Sequence, residues 1–364
     1  MKSTVLLAML GTFLTVSGCI KPEAENMEAD ILVMTLPDSV LISPPSITNT
    51  SVTAFVNFSK LNIKAVAPQF SITEGASIQP ASGTPQDFSK PVTYTVTSQD
   101  GHWTKQYRVS LLQNLAPDNF MFENWTVNPD GNYYVPYEVV EAEHQNIWAS
   151  GNSGFSLIAP EKQPEAYPTQ RSTDAQQGQY AAYLETKSTG ALGALVGMPI
   201  APGNLFLGSF DGAKALTAPL EATIFGVPFN KKPLRLTGFY KYVSGGPVTD
   251  KTGKPVTPER QDVCDIYAVL FKATADKPFL NGANVLTDPS VVAIAQLASG
   301  TPTSGAGYQA FNLTFNYKSE VNQDDLAAFA YKIAIVFSSS KNGAVFEGAV
   351  GSKLYIDDVK IVTQ

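Results

Sequence analysis

Cysteine and histidine are scarce in this sequence. Its 364 residues include two cysteines, Cys19 and Cys264, and two histidines, His102 and His144. These residues form no cluster with the ligand spacing of a zinc site, and a catalytic thiol would need a histidine beside it. Because Cys264 lies in a strand-like run, we expect it to be a buried structural residue.

Positive charge and long apolar segments are also lacking. Charged residues make up 16% of the chain, and the net charge is −7. Lysine and arginine form no run, which argues against nucleic acid as a partner. The 27 glycines, 25 prolines and 10% aromatic residues suit strands and turns. After the amino terminus, no stretch has the length and hydrophobicity of a transmembrane helix.

The amino terminus carries a short apolar run. Lys2 provides a positive charge, and Val5–Val16 is long enough for a signal peptide but too short to span a bilayer. The run ends in Val-Ser-Gly-Cys19, which resembles the lipobox of bacterial lipoproteins. This resemblance implies a signal peptide at residues 1–19 and lipidation of Cys19. The alternative is an ordinary secretory signal with a chance cysteine.

Residues 20–28 are acidic and poorly hydrophobic, so we predict a flexible tether. They are similar to the acidic export signals of Bacteroidetes surface lipoproteins. The resemblance implies a protein anchored to the outer membrane and facing the cell exterior.

The first folded unit is predicted at residues 29–113. Val92–Thr97 and Trp103–Leu111 alternate apolar with polar residues, as half-buried strands do, and Asp-Gly101 between them suits a tight turn. Such short strands indicate an immunoglobulin-like sandwich. Together with Ala76–Phe88, they resemble the immunoglobulin-like domain at the front of Bacteroidetes surface lipoproteins. That resemblance implies a spacer without catalytic function.

Residues 114–119 are predicted to be a linker, and residues 120–364 a second unit. Alternation predicts its strands at Tyr180–Thr186, Leu234–Val243, Val263–Lys272, Gln309–Tyr317, Lys332–Ser338 and Lys353–Val362. Short helices are predicted at Leu286–Ala298 and Gln323–Ala328. One β-sandwich of the jelly-roll type fits this length and pattern, so the whole chain is predicted to be all-β.

The second unit also resembles a known family, the Putative carbohydrate metabolism domain (PCMD) of Bacteroidetes lipoproteins. The resemblance rests on segments in the same order, at Phe122–Trp125, Trp148–Asn152, Met198–Phe210, Ile266–Phe271 and Leu354–Val359. It implies a jelly roll like that of carbohydrate-binding modules, and a role in glycan use without a defined reaction.

Carboxylates are the candidate catalytic groups, because glycosidases need two of them beside the scissile bond. The sequence offers Glu138, Glu141, Glu143, Asp211, Asp262, Asp265, Asp357 and Asp358. It does not show which two converge, and the catalytic residues therefore stay unassigned. The motifs of serine hydrolases, zinc proteases and nucleotide-binding loops are absent.

Aromatic side chains are the candidates for carbohydrate binding, because their rings offer flat apolar faces next to polar groups. We expect Trp148, Tyr133 and Tyr134 to stack on sugar rings, and Asn152 to bond sugar hydroxyls. Trp148 and Asn152 belong to a glycine-rich segment that indicates a loop. The alternatives are a tryptophan packed in the core and a turn fixed by the Asn152 side chain.

A metal site is also implied. Many carbohydrate-binding jelly rolls hold a structural calcium ion between an early glutamate and an aspartate of the last strand. Glu123 and Asp357 occupy similar places here, and backbone carbonyl oxygens would complete the site. The alternative is that Asp357 faces solvent at a strand edge.

The sequence therefore predicts a lipid-anchored envelope protein whose second unit binds a carbohydrate ligand. It would take part in glycan capture beside outer-membrane uptake partners. Two alternatives stay open: a glycoside hydrolase with a carboxylate pair, and a structural or adhesive surface protein.

Overall fold

The computed structural model describes residues 25–37, 40–41, 45–56, 60–112, 116–140, 143–274, 276–303, 305, 307–327 and 329–364. The predicted signal peptide with Cys19 lies outside the described residues. The tether predicted at 20–28 is wrong at its end, since the Asn26 backbone N–H donates to Gln99 and its carbonyl accepts from the Asp100 N–H of the first unit. Within the described ranges, no helix is long and apolar enough to cross a membrane.

The first unit is a small β-sandwich with its own core. Its sheets, in strand order, are β1 (Ile31–Thr35) with β4 (Gln69–Ile72), and β2 (Ser46–Ile47), β3 (Ser51–Phe55), β7 (Thr104–Leu112), β6 (Val92–Thr97) and β5 (Ser77–Gln79). Tyr94 and Val96 of β6 are fully buried, as alternation predicts. Gly101 has φ 70° in the turn between β6 and β7, a conformation that glycine adopts without strain.

The second unit is a sandwich of two antiparallel sheets. The large sheet contains, in order, β13 (Trp148–Ala149), β18 (Asn204–Phe210), β26 (Tyr331–Ser338), β22 (Asp265–Lys272), β23 (Val291–Gln296) and β25 (Asn316–Tyr317), with β19 (Thr223–Phe225) on β18 and β20 (Val227–Pro228) on β26. The small sheet contains β14 (Thr169–Ser172), β15 (Ala181–Glu185), β27 (Lys353–Thr363), β21 (Pro233–Val243) and β24 (Gln309–Thr314), with β8 (Asn119–Phe120) on β27.

Shorter elements surround these sheets. The paired strands are β9 (Trp125–Val127) with β10 (Tyr134–Pro136), β11 (Glu138–Val140) with β12 (Glu143–Gln145), and β16 (Lys187–Ser188) with β17 (Ile200–Ala201). The α-helices are α1 (Asn152–Ile158), α2 (Gly190–Leu195), α3 (Pro219–Ala222) and α4 (Gln323–Ala327). Single 3₁₀ turns occur at Ile63–Ala65, Pro164–Ala166, Gly212–Lys214 and Gly343–Val345.

The large sheet is buried on both faces. Alternate residues of β22, such as Ile266 and Leu270, enter the main core between the sheets. Tyr267 and Phe271 pack instead into a second apolar cluster on the outer face of the large sheet. Burial on both faces explains why this strand is an almost continuous apolar run in the sequence.

A β-bulge in β27 changes which side chains face the core. Asp358 has φ 46°, and the register between β21 and β27 shifts there. Ile356 and Val359 therefore both reach the main core although they are three residues apart. Asp357, between them, is directed away from the core towards the loop that precedes β15.

The predicted fold class is confirmed, and each strand predicted in the second unit is present. The helix predicted at Leu286–Ala298 is wrong, because Val291–Gln296 forms β23. Its apolar run is the signature of a strand buried on both faces. The predicted linker also extends too far, because Ala116 packs in the main core and Asn119–Phe120 pairs with β27.

A substitution at Gly238 tests how closely the chain is packed behind the bulge. A Cβ on Gly238 would lie 2.7 Å from the Phe311 ring and 3.1 Å from Cα of Val359. We expect Gly238→Ala to cost about 1–3 kcal/mol, which corresponds to a Tm decrease of several degrees. Gly212→Ala is the control, because a Cβ there meets nothing within 4 Å. Equal Tm values for the two variants would contradict the packing argument.

Candidate functional site

Trp148 lies in the main core and not on a binding surface. Its side chain is 3% exposed, and its ring packs at 5.1 Å from Phe120 and 5.4 Å from Phe122. The indole Nε1–H donates to Oε1 of Glu138 at 2.8 Å. Neither face of the ring is free for a sugar, so the predicted stacking role of Trp148 is wrong and the core alternative holds.

Asn152 is also structural. It is fully buried at the start of α1, its amide nitrogen donates to the Thr169 carbonyl at 2.7 Å, and its oxygen accepts from the Thr169 N–H at 3.0 Å. The side chain thus ties α1 to edge strand β14. Because both ends of its amide are bonded to backbone, the predicted contact with sugar hydroxyls is wrong.

Tyr133 and Tyr134 lie near β14 but do not form an open platform. The Tyr134 hydroxyl donates to Glu165 at 2.5 Å, and the Arg171 guanidinium lies 4.5 Å from the Tyr134 ring centre. Tyr133 is half-buried, with its ring 5.3 Å from that of Tyr167. With Trp148 and Asn152 inside the molecule, the residues predicted to bind carbohydrate do not share one surface.

The candidate carboxylates are dispersed among separate environments. Asp262 accepts hydrogen bonds from Ser340 and Ser352 in the interior, and Asp211 caps a 3₁₀ turn by accepting from the Ala213 N–H. Asp265 lines a cavity on the outer face of the large sheet. Glu141 and the Glu143 side chain lie outside the described residues.

Glu138 has an unusual environment for a carboxyl group. Burial raises its pKa from 4.5 to about 7, against the opposing effect of the hydrogen bond from Trp148. Such a value suits a general acid. Catalysis on a sugar needs a second carboxylate across the bond, and the partner that Glu138 has here is the indole of a core tryptophan.

A row of half-buried tyrosines with a buried lysine lies on the outer face of the small sheet. We call it the tyrosine face and define it by Tyr183 of β15, Tyr355 of β27, Lys241 of β21 and Tyr308 before β24. Tyr183, Tyr355 and Lys241 are direct cross-strand neighbours. The rings of Tyr183 and Tyr355 lie 4.7 Å apart, and Nζ of Lys241 lies 4.3 Å from the Tyr355 ring centre and 5.4 Å from that of Tyr308.

Charged groups hold this row in place. Lys241 forms an ion pair with Asp174, and the Tyr308 hydroxyl donates to the Asp174 carbonyl at 2.6 Å. Burial, followed by the nearby carboxylates of Asp174 and Glu185, raises the pKa of Tyr355, so its hydroxyl stays protonated at neutral pH. The tyrosine face therefore combines half-exposed rings with fixed hydrogen-bond donors and acceptors.

The sequence carries a signal for this face. Alternation in β15, β21 and β27 directs Tyr183, Lys241 and Tyr355 outwards, to positions where a solvent-facing sheet normally carries small polar residues. Large aromatic rings at outward positions of adjacent strands indicate a binding surface. Their adjacency depends on strand order, which the sequence pattern does not provide.

Glu123 and Asp357 converge on the loop that precedes β15. Asp357 is fully buried and accepts from the N–H groups of Gln176 and Gln177 at 2.8 and 2.9 Å. Glu123 accepts from the Gln179 N–H at 3.1 and 3.0 Å on its two oxygens. Burial raises the pKa of Asp357, and the nearby Glu123 carboxylate acts in the same direction. The backbone N–H donors act in the opposite direction.

Fold and surface together define a two-domain, all-β protein with an aromatic sheet face. Residues 121–362 match the family model of the Putative carbohydrate metabolism domain, and residues 35–111 match that of the amino-terminal domain of surface glycan-binding proteins (SGBP). The first match covers most of the chain, which therefore belongs to the Putative carbohydrate metabolism domain family. No curated protein matches the chain.

The solved structures that are similar to this chain include two from Bacteroides species. A "putative glycoside hydrolase" from Bacteroides thetaiotaomicron is 40% identical over 94% of this chain and 98% of its own length, with a TM-score of 0.83. A second protein of that description, from Bacteroides vulgatus, is 39% identical over 68% of this chain and 98% of its own length, with a TM-score of 0.63.

Glu138 gives the fold a testable pH dependence. Between about pH 4.5 and 7 the unfolded chain releases the Glu138 proton whereas the folded chain keeps it, so this group lowers stability as pH rises through that range. Glu138→Gln removes the effect. We expect the unfolding free energy of the variant, relative to wild type, to increase by on the order of 3 kcal/mol from about pH 4 to about pH 8. Urea denaturation at both pH values measures it, and a constant difference would show that Glu138 titrates normally.

Proposed function

We propose that the second unit binds a glycan on the tyrosine face of the small sheet. The observation that carries the proposal is the row of half-exposed tyrosines, Tyr183, Tyr355 and Tyr308, with Lys241 held between the last two. Tyrosine rings offer apolar faces to the C–H surfaces of sugars, and their hydroxyls bond to polar groups. Membership of a carbohydrate-related family supports the same ligand class.

The dimensions of the face favour an oligosaccharide over a single sugar. Neighbouring strands lie about 4.8 Å apart, so a row across several strands extends for more than 10 Å. Asp174 with Lys241, and Glu185 with Lys187, supply polar groups to sugar hydroxyls. The face thus offers stacking and hydrogen bonding side by side along the row.

Sugar binding fits the carboxylates of this face. Asp174 forms an ion pair with Lys241, and Glu185 pairs with Lys187 at 3.2 Å. Each carboxylate is thus already engaged in a charge-assisted contact with a lysine. Both pairs therefore suit the recognition of sugar hydroxyl groups.

We further propose that the protein works at the cell surface, lipid-anchored at Cys19 in the outer membrane, where it captures glycan for uptake partners. The lipobox-like sequence supports the anchor. The match of residues 35–111 to the amino-terminal domain of surface glycan-binding proteins supports the location. The first unit would space the tyrosine face from the membrane.

Tyr355→Ala tests the glycan site. The variant removes the central ring of the row, and we expect Kd for a bound polysaccharide to rise about tenfold or more, the usual effect of losing a central aromatic contact. Affinity gel electrophoresis on a panel of polysaccharides, followed by calorimetry on those retained, measures the change. Tyr183→Ala should weaken the same ligand.

Trp103→Ala is the matched control for this experiment. Trp103 is 56% exposed and lies in the first unit, next to the turn between β6 and β7, so its loss should leave glycan affinity unchanged. Retention of every glycan by Tyr355→Ala and Tyr183→Ala would contradict the proposed site. Release of reducing sugar by the wild-type protein would favour a hydrolase instead.

We also propose that Glu123 and Asp357 hold a structural calcium ion. Three observations support the fit of a cation between them. Each carboxylate has about four lone-pair positions, and backbone N–H groups occupy only some of these. In the described part of the chain neither residue forms an ion pair. The loop backbone also passes so close that a Cβ on Gly178 would overlap the Glu123 carboxylate.

Calcium bound there would neutralise the buried Asp357 carboxylate and the half-buried Glu123 carboxylate, and would fix the loop that carries Asp174. Among the described residues no three acidic, histidine or cysteine side chains form a metal cluster, so backbone carbonyl oxygens would have to supply further ligands. The loop connects this position to the tyrosine face, because Asp174 forms an ion pair with Lys241.

Calcium should raise Tm relative to excess chelator. Ligand at about one hundred times Kd adds about 2.7 kcal/mol to the unfolding free energy, which is several degrees for a domain of this size. Glu123→Gln should abolish the difference between calcium and chelator, whereas Asp174→Asn, on the same loop, should preserve it. A wild-type Tm that is equal in calcium and in chelator would refute the site.

A further inference from the structure

An apolar cavity lies on the outer face of the large sheet, away from the tyrosine face. Its volume is about 170 Å³. The floor is formed by outward residues of the sheet, Phe206 of β18, Tyr267 of β22 and Val336 of β26. The walls come from α1, α3, the segment after α2 and the 3₁₀ turn at Gly343–Val345.

The lining of the cavity is rich in aromatic rings, which are Phe155, Phe206, Phe210, Phe225, Tyr267 and Phe346. Phe206 and Phe225 meet edge to face at 4.9 Å. Aromatic rings prefer edge-to-face and offset contacts with one another. For comparison, an engineered apolar cavity of about 150 Å³ in another protein binds benzene. The cavity therefore has the size and lining for one aromatic ring.

One end of the cavity is polar. The carboxyl group of Asp265 lines it, is only 5% exposed and accepts from Nε2 of Gln296 at 3.2 and 3.1 Å on its two oxygens. Burial raises the pKa of Asp265, and the nearby Lys341 ammonium acts in the opposite direction. In the part of the chain that the structure describes, Asp265 forms no ion pair, so its oxygens keep lone pairs for a further donor.

The surroundings at this end select against ionic ligands. Lys341 also lines the cavity and is exposed, so each ligand charge would meet one attractive and one repulsive group. A carboxylate or an ammonium group would in addition lose its hydration among the apolar walls, which is costly for an ion. A neutral hydroxyl donor avoids this desolvation cost, and it can donate to the Asp265 carboxylate. Sugars fit poorly, because most of their hydroxyls would face an apolar wall without a partner.

The entrance has two further features of a binding site. Phe346 lines the cavity with φ 61°, a left-handed conformation that is strained for a bulky residue and is found preferentially at functional sites. Aliphatic side chains next to lining residues are exposed, among them Leu157 beside Ile158 at 54% and Val345 beside Phe346 at 51%. These side chains add apolar surface next to the residues that line the cavity.

We propose that this cavity binds a single neutral phenol ring, with the ring among the phenylalanines and the phenolic hydroxyl donating to Asp265. The ligand is a free phenol or a phenol-type group carried on a sugar. This site is separate from the tyrosine face and does not depend on the glycan proposal.

Calorimetric titration of the mature protein with 4-methylphenol, toluene, benzoate and benzylammonium tests the site. We expect 4-methylphenol to bind most tightly, toluene more weakly, and the two ions not to bind. Asp265→Leu should weaken 4-methylphenol about tenfold and leave toluene unaffected, because it removes the acceptor and keeps the shape. Ala201→Trp fills the cavity from a half-buried position and should abolish both.

Tyr355→Ala is the control, since it should leave 4-methylphenol binding unchanged whatever its effect on glycans. A 4-hydroxyphenyl glucoside distinguishes the two ligand sources. If it competes with 4-methylphenol, the site accepts a phenol linked to a sugar; if it does not compete, the ligand is a free phenol. The proposal is overturned if 4-methylphenol fails to bind wild type, or if folded Ala201→Trp binds it as well as wild type does. Equal loss of toluene and 4-methylphenol in Asp265→Leu would overturn the role of Asp265.

Discussion

The pleat of a β-strand sends successive side chains to opposite faces, and the second unit depends on this constraint. Both sheets direct one face into a shared core, in which Leu354 and Ile356 of β27 meet Ile266 and Leu270 of β22. Every other residue of those strands must then face outwards. Because the inner faces are used for packing, ligand-binding surfaces have to form on the outer faces or in the loops.

The two outer faces have opposite character. On the large sheet, short helices and loops cover the outward residues and leave an aromatic-lined cavity with one buried carboxylate, Asp265. On the small sheet, the outward rings of Tyr183 and Tyr355 stay half-exposed, and the ion pair of Lys241 with Asp174 lies beside them. The first face suits a small apolar ring and the second an extended polar chain, so the two proposed sites differ in the ligand class they would take.

The sequence predicted the fold well because the fold depends on periodicity. Alternation in β21, β24 and β27 and the tight turn at Gly101 are local signals, and the structure contains each of them. The prediction of a helix at Leu286–Ala298 was wrong because the local signal there is ambiguous, since a strand buried on both faces loses its alternation. The predicted end of the linker was wrong because β8 exists only through its pairing with β27.

The binding residues were harder to predict, for a physical reason. Trp148 and Asn152 carry the chemistry of sugar recognition, but the same properties serve burial: a large ring fills the core, and an amide satisfies buried backbone. The exposure of the side chain distinguishes a role in sugar recognition from a role in the core, and exposure depends on tertiary packing. Tyr355 has no distinctive local sequence, and its importance comes from Tyr183 and Lys241 on strands far away in the chain.

The loop before β15 connects the bulge in β27 to the tyrosine face. Its backbone N–H groups bond to Asp357, which the bulge at Asp358 directs away from the core, and its Asp174 side chain forms an ion pair with Lys241 of the tyrosine face. A change in the shape of this loop would therefore move Asp174 relative to the rings. Since a bulge in the last strand fixes the loop and the loop positions the ion pair, the precision of the tyrosine face depends on the packing of the sandwich behind it.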